Sequence, residues 1–199
     1  MSSHHSAFRS ILTHVKQGDR VLDLGCGNGD LLRALIQQKN VSGYGIEINF
    51  DSILSCIEKG IPVFQGNLDD GLSGIQDQSY DVVILSLTLQ QVQKPFFLLT
   101  EMIRVGKKAI VMFPNFGYWK IRMQLLLTGQ SPVTQSLPYR WHDTPNIRVI
   151  TIHDFKELCQ SEKIKIIEET PLFSNSLLSM AGPTFSNLFS EMGLFVISQ

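Results

Sequence analysis

Charge, cysteine and long apolar runs are all scarce in this chain, and each scarcity removes a class of function. Only 18% of the 199 residues are charged, and 17 basic against 18 acidic residues leave a net charge of −1. Such a balance gives no electrostatic footprint for nucleic acid or for an anionic membrane surface. Local basic pairs such as Lys107 and Lys108 read as solvated faces. The three cysteines, Cys26, Cys56 and Cys159, are odd in number, widely spaced and without a CxxC pair. They suggest neither a disulfide framework nor a zinc site, so no metal is expected, and a reducing cytoplasm fits them. The longest apolar stretch, Val82 to Leu89, is broken by Ser86 and Thr88 and is far too short to span a bilayer. The opening Met-Ser-Ser-His-His-Ser has no charged segment leading into an apolar core, so no signal peptide is expected. There is no GxSxG elbow, no P-loop and no HExxH. His4 and His5 read as part of a floppy terminus, and His14 and His153 as surface positions on helices. His142 beside Asp143 reads as a structural loop histidine more readily than as an acid/base pair.

What is present is an apolar fraction of 43%, enough for a sizeable core. A single domain over residues 1–199 is expected. Phe8, Ile11, Leu12 and Val15 recur at helical spacing before Gly18. Arg20–Leu24 reads as a buried first strand, and Leu31, Leu32, Leu35 and Ile36 as the inward face of the next helix. Ser42–Ile48 reads as strand two, Asp51–Lys59 as a helix stopped by Gly60, and Pro62–Gln65 as a short strand three. The continuous apolar run Tyr80–Leu87 predicts a central strand covered on both faces. A helix over Pro95–Val105, with proline in its first turn, leads to a strand at Ala109–Phe113. Helices over Tyr118–Leu127 and Thr151–Glu162 follow, with strands at Ile164–Ile167 and Leu194–Ile197. Strands alternating with helices predict a doubly wound α/β fold with a mostly parallel seven-stranded sheet. Ser131–Arg148, with three prolines, and Ser174–Asn187 read as surface excursions.

The chemistry is concentrated in Val21-Leu22-Asp23-Leu24-Gly25-Cys26-Gly27-Asn28-Gly29-Asp30. An apolar strand runs into three glycines at alternate positions, and a helical pattern follows. Eighteen residues past Gly29, the second strand ends in Glu47. Strand, glycine turn, helix, strand, acid is the layout of a nucleotide-binding βαβ unit. A dinucleotide would place its pyrophosphate at the helix N-terminus, beside Asp23 and Asp30. A carboxylate about 4 Å from a phosphate is repelled by roughly 4 kcal/mol at an effective dielectric of about 20. The acids therefore favour a cationic amino-acid head and sulfonium, as in S-adenosylmethionine (SAM), over an anion. Asp30 also has a plainer role as a helix-dipole partner. Glu47 is placed to accept from ribose hydroxyls, and Ile48 to pack on an adenine. Asn67 and Asp69 stand where an amide or acid meets the adenine edge, although turn chemistry explains them equally well.

VLDLGCGNG, then GYGIE, then YDVVILSLTLQQV, resembles the class I SAM-dependent methyltransferases over about the first 115 residues. The resemblance implies that Asp23, Gly25, Cys26, Gly27 and Gly29 surround the methionine end of SAM or S-adenosylhomocysteine (SAH). It places Glu47 and Ile48 at the ribose and adenine, Asn67 and Leu68 at the adenine edge, and Ser86 in the cofactor site at the end of strand four. Later segments narrow it. FPNFGYW at Phe113–Trp119, QLLL at Gln124–Leu127, PVT at Pro132–Thr134 and LPYRWHDTPNI at Leu137–Ile147 join QGNLDDGL and LSLTLQQV. Together they resemble the methionine-biosynthesis protein MetW family across nearly the whole chain. In that family the position of Asn67 is usually Asp. The resemblance implies an accessory role beside a homoserine O-acyltransferase (MetX). The alternative is an active methyltransferase on an unknown small molecule; a nicotinamide-dependent oxidoreductase is a distant third. Many small-molecule methyltransferases carry a histidine shortly after strand four; here Gln91 stands in its place and cannot take a proton. No catalytic residue is assigned. The aromatics Phe113, Phe116, Tyr118, Trp119, Tyr139 and Trp141 are candidates for a cofactor roof, a docking face or plain packing. Arg122 and Arg140 are candidates for pairing with a partner's acids or for solvation.

Overall fold

The computed structural model describes residues 3–173 and 185–199, with side chains from residue 8 onward. The side chains of His4 and His5, and residues 174–184 of the second expected excursion, lie outside the described residues. Seven strands are present there: β1 (Arg20–Leu24), β2 (Ser42–Glu47), β3 (Val63–Gln65), β4 (Val82–Ser86), β5 (Ala109–Pro114), β6 (Lys165–Leu172) and β7 (Met192–Ser198). They form one sheet in the order β3-β2-β1-β4-β5-β7-β6. The first five are parallel, and β7 runs antiparallel to both β5 and β6.

Alternate residues of each central strand feed opposite cores, as the period of two requires. Leu22, Leu24, Val83, Leu85, Val111 and Phe113 enter the layer beneath α4 (Pro95–Val105) and α6 (Ile152–Ser161). Val21, Val82, Ile84, Ile110 and Met112 enter the other layer, with α1 (Ser3–His14), α2 (Asp30–Lys39) and α3 (Phe50–Glu58). Phe155 is packed against Phe113 and Phe195 at ring-centroid distances of 5.0 and 4.7 Å. Local chemistry sets the helix ends. Asn49 caps α3 by accepting from the Ser52 N–H, and Pro95 opens α4. A reciprocal Thr151–Asp154 capping box starts α6.

Most expected elements form within a residue or two of their expected bounds. The exceptions have physical causes. β4 is shorter than the apolar run, because Tyr80 makes only an isolated bridge to Gly106. β6 and β7 are longer than their apolar cores, because antiparallel pairing carries Glu168, Glu169 and Thr170 into the ladder. The terminus expected to be floppy is helical from Ser3. Lys108 is not a solvated face: its Nζ donates to the His14 carbonyl at 2.6 Å, satisfying the end of α1. His14 is also not a surface residue. Its side chain is 12% exposed, its Nδ1 lies 3.6 Å from Glu168 Oε2, and burial lowers its pKa.

After β5 the chain leaves the sheet over residues 116–151 and returns to its point of departure. Asn115, fully buried, closes the base. Its Nδ2 donates to the carbonyls of Asn187 and Ser190 at 3.0 and 2.9 Å. Its Oδ1 accepts from the N–H groups of Gly117 and Ile152 at 2.9 and 3.2 Å. Phe116 N–H donates to the Ile150 carbonyl at 2.9 Å beside it. Within the excursion, α5 (Trp119–Thr128) buries Ile121 and leaves Leu125, Leu126 and Leu127 exposed. The aromatics of this region divide accordingly: Phe113 and Tyr118 are core, whereas Tyr139 and Trp141 are exposed.

Candidate functional site

β1, β2 and β4 are parallel and in register, with Leu24 opposite both Ile46 and Leu85, so their carboxyl ends share one rim. A cleft of about 680 Å³ opens there, at the place where ligands bind in open α/β sheets. Its floor is the glycine loop. Gly25, Gly27 and Gly29 have φ of 68°, 53° and 75°, left-handed values that L side chains rarely adopt. The turn is tied to β2 by Gly25 and Cys26 N–H groups that both donate to the Ile46 carbonyl, at 2.8 and 3.2 Å. A Cβ on Gly25 would lie 2.7 Å from Thr88, whereas Gly27 faces open space.

Glu47 organises this floor. Its side chain is nearly buried, and its Oε2 accepts from Gly27 N–H at 2.8 Å. Its Oε1 accepts from Ile48 and Asn49 N–H at 2.8 and 2.9 Å. Three of the roughly four acceptor positions of the carboxylate are therefore taken by backbone. Asp23, one strand away, is 2% exposed, and its side chain makes no hydrogen bond among the described residues. Burial first, and the Glu47 charge second, push its pKa up to about 7.

Seven of the ten residues singled out from the sequence line the cleft: Gly25, Gly27, Glu47, Ile48, Asn67, Leu68 and Ser86. Asp23, Cys26 and Gly29 do not line it. The side chain of Cys26 turns down into the core, with its Sγ 4.0 Å from Cys56 Sγ, and burial raises both thiol pKa values. Gly29 faces Cys56, where a Cβ would come within 2.9 Å of the sulfur. Asp30, at the first turn of α2, pairs with Lys59 at 2.6 Å. Asn67 Oδ1 accepts from Asp69 N–H at 3.0 Å, so the turn chemistry expected for it is present. Asp69 Oδ1 in turn accepts from the N–H groups of Gln93 and Lys94, each at 2.9 Å.

The remaining wall had little or no local signal. Leu87, at the end of β4, holds φ of 57°, and Gln90 Nε2 clamps its carbonyl at 2.6 Å. Non-glycine residues in this conformation gather at functional sites. Tyr139 and Pro145 enter the cleft from the excursion. They are carried there because Ile147 and Arg148 N–H both donate to the Gln90 carbonyl, at 3.0 and 3.1 Å. Gln91 lines the cleft, and no histidine does. His142 packs edge-on against Trp141 and has no hydrogen bond to Asp143. Arg122 is exposed, and its Nε donates to the Gly117 carbonyl at 2.6 Å. Among the described residues, no helix is long and apolar enough to cross a membrane.

Solved structures share this architecture at low identity. A SAM-dependent methyltransferase from Mesorhizobium loti superposes with a TM-score of 0.70 at 16% identity, covering 100% of this chain and 98% of that one. Magnesium protoporphyrin IX methyltransferase from Synechocystis PCC 6803, with bound SAH, gives 0.67 at 15% identity, covering 98% and 83%. The fold is thus the Rossmann-like fold of SAM-dependent methyltransferases. By sequence, the chain is 39% identical over 169 residues to the bifunctional methionine biosynthesis protein MetXA/MetW of Rhodopirellula baltica. That match covers 80% of this chain and only 27% of the relative's length. The family model for methionine biosynthesis protein MetW matches residues 5–197, and the chain belongs to the MetW family.

Proposed function

We propose that the chain binds SAM or SAH in the cleft and acts in methionine biosynthesis as an accessory of a homoserine O-acyltransferase of the MetX type. The observation that carries the partnership is the Rhodopirellula relative, whose name joins MetXA and MetW in one bifunctional protein. The exposed Leu125, Leu126 and Leu127 of α5 support it, since contiguous exposed apolar side chains mark contact surfaces.

The residues of the cleft fit the cofactor. Gly25 and Gly27 allow its methionine end to approach the backbone, and open space lies over Gly27. Asp23 lies outside the lining of the cleft, buried in β1, and its carboxyl group has no hydrogen-bond partner among the described residues; an ammonium or sulfonium nearby would hold it ionised. Glu47 keeps about one acceptor position for a ribose hydroxyl. Ile48, 62% exposed, and buried Leu68 would flank the adenine, with Asn67 at its edge. Bound SAM supplies an electrophilic methyl group. Transfer of that group needs an acceptor held in line and shielded from water. The cleft offers no histidine to deprotonate one, and Gln91 cannot do so. For this reason the accessory role is preferred to methyl transfer.

The test is homoserine acylation by the cognate acyltransferase with and without this chain, in one buffer. Acceleration, together with co-elution of the two proteins, is expected. No change in turnover returns the weight to methyl transfer on a small molecule, for which SAH release with a metabolite panel is the readout.

A further inference from the structure

We propose that a second pocket, enclosed by the excursion beside the cleft, binds a small carboxylate of amino-acid size with an apolar body. This site does not rest on the SAM reading. The pocket holds about 200 Å³, the share of roughly seven waters at about 30 Å³ each. Its lining includes two guanidinium groups, Arg140 and Arg148, and no acidic side chain. That balance selects an anion.

The two arginines have different roles. Arg148 is anchored: its Nε donates to the Val92 carbonyl at 2.9 Å and its terminal nitrogen to the Gln93 carbonyl. It is a fixed positive wall. Arg140 makes no hydrogen bond or ion pair through its side chain among the described residues, so its whole donor fork is available. A planar fork matches a carboxylate in bidentate fashion. Asn146 also lines the pocket with its side-chain amide unengaged, a second neutral contact for a polar head. The same lining includes Phe116, Tyr139 and Trp141. Aromatic side chains and a cation in one lining suit a carboxylate with an apolar body rather than inorganic phosphate. Trp141 is 76% exposed here, and a ligand body laid against it would cover apolar surface. Tyr139 lines both this pocket and the cleft, so the ligand would sit beside the cofactor site.

The test titrates the full chain with L-methionine, L-leucine and butyrate, and with the carboxamide of each. Calorimetry and tryptophan fluorescence are the readouts, with Trp141→Phe separating Trp141 from the partly buried Trp119. At least one acid is expected to bind saturably in the millimolar range or tighter, with its carboxamide at least tenfold weaker. Arg140→Ala should lose at least tenfold in affinity and Arg140→Lys less. SAM binding, measured in parallel, should be unchanged by Arg140→Ala. Failure of all three acids to bind overturns the proposal, as does equal binding of acid and amide or an Arg140→Ala variant that binds like the native chain. A chain that binds the acids and not SAM leaves this site standing and removes the cofactor reading instead.

Discussion

Glu47→Gln is the substitution that most directly tests how the cleft is held. It keeps size and shape and removes one acceptor oxygen and the charge. The native carboxylate receives three backbone N–H groups, from Gly27 on one oxygen and from Ile48 and Asn49 on the other. A glutamine satisfies the larger set by turning its oxygen to Ile48 and Asn49. Its NH2 group then faces the Gly27 N–H, donor against donor. One hydrogen bond to a charged acceptor is lost, about 1.5–3 kcal/mol, and two others become neutral and weaker. Relief of the repulsion on Asp23 returns a part of this. A net loss of about 3 kcal/mol corresponds to a fall in Tm of about 6–12 °C for a chain of this length. Scanning calorimetry and SAH titration on the same samples read the effect, the second expected to weaken at least about tenfold, or 1.4 kcal/mol. A variant with native Tm and native SAH affinity would refute the claim that Glu47 holds the glycine loop.

Asp23→Asn should gain stability relative to the native chain as pH rises. The folded carboxyl, raised to about 7 by burial and Glu47, stays protonated where the unfolded one is already ionised, so its penalty grows from about pH 4 to about 7 and is constant above. Urea melts across that range check this, and a pH-independent gap between the two proteins would contradict it. Asn115→Ala orphans two buried N–H groups and two carbonyls, and should cost at least about 3 kcal/mol in chemical denaturation. Gly25→Ala places a Cβ 2.7 Å from Thr88 at a φ of 68°. Thr88→Ala should recover the clash and leave about 1–2 kcal/mol of backbone strain, read as a partial return of Tm in the double variant.

What was legible in the sequence was local. The glycines at alternate positions and the terminal acid of β2 encode a turn and a strand end within thirty residues. Periodicity alone located the helices that flank them. What was not legible depends on partners distant in the chain. Nothing near Tyr139 or Pro145 says that they reach the cleft; the link is the Gln90 carbonyl, shared by Ile147 and Arg148. Cys26 stands in the motif, but a tight turn sends neighbouring residues to opposite sides, and its side chain is core. The antiparallel ladder of β6 and β7 extends through polar residues because backbone pairing, not apolar pattern, sets its length. Nothing local to Lys108 marks it as the partner of the end of α1, whose His14 carbonyl lies 94 residues earlier in the chain.

The closure of residues 116–151 at Asn115 makes that excursion an exchangeable cassette. Its two ends are bonded to each other and to the sheet, and Ile147 and Arg148 tie its returning limb to Gln90, Val92 and Gln93, so the framework fixes where the excursion leaves and re-enters. Doubling the length of a flexible closed loop costs only about 0.6 kcal/mol. Lengthening, shortening or replacing the segment between Gly117 and Ile147 therefore changes what meets the mouth of the cleft while leaving the glycine loop and Glu47 as they are. The rim of this molecule can diversify, and acquire or shed partners, at almost no expense to the floor.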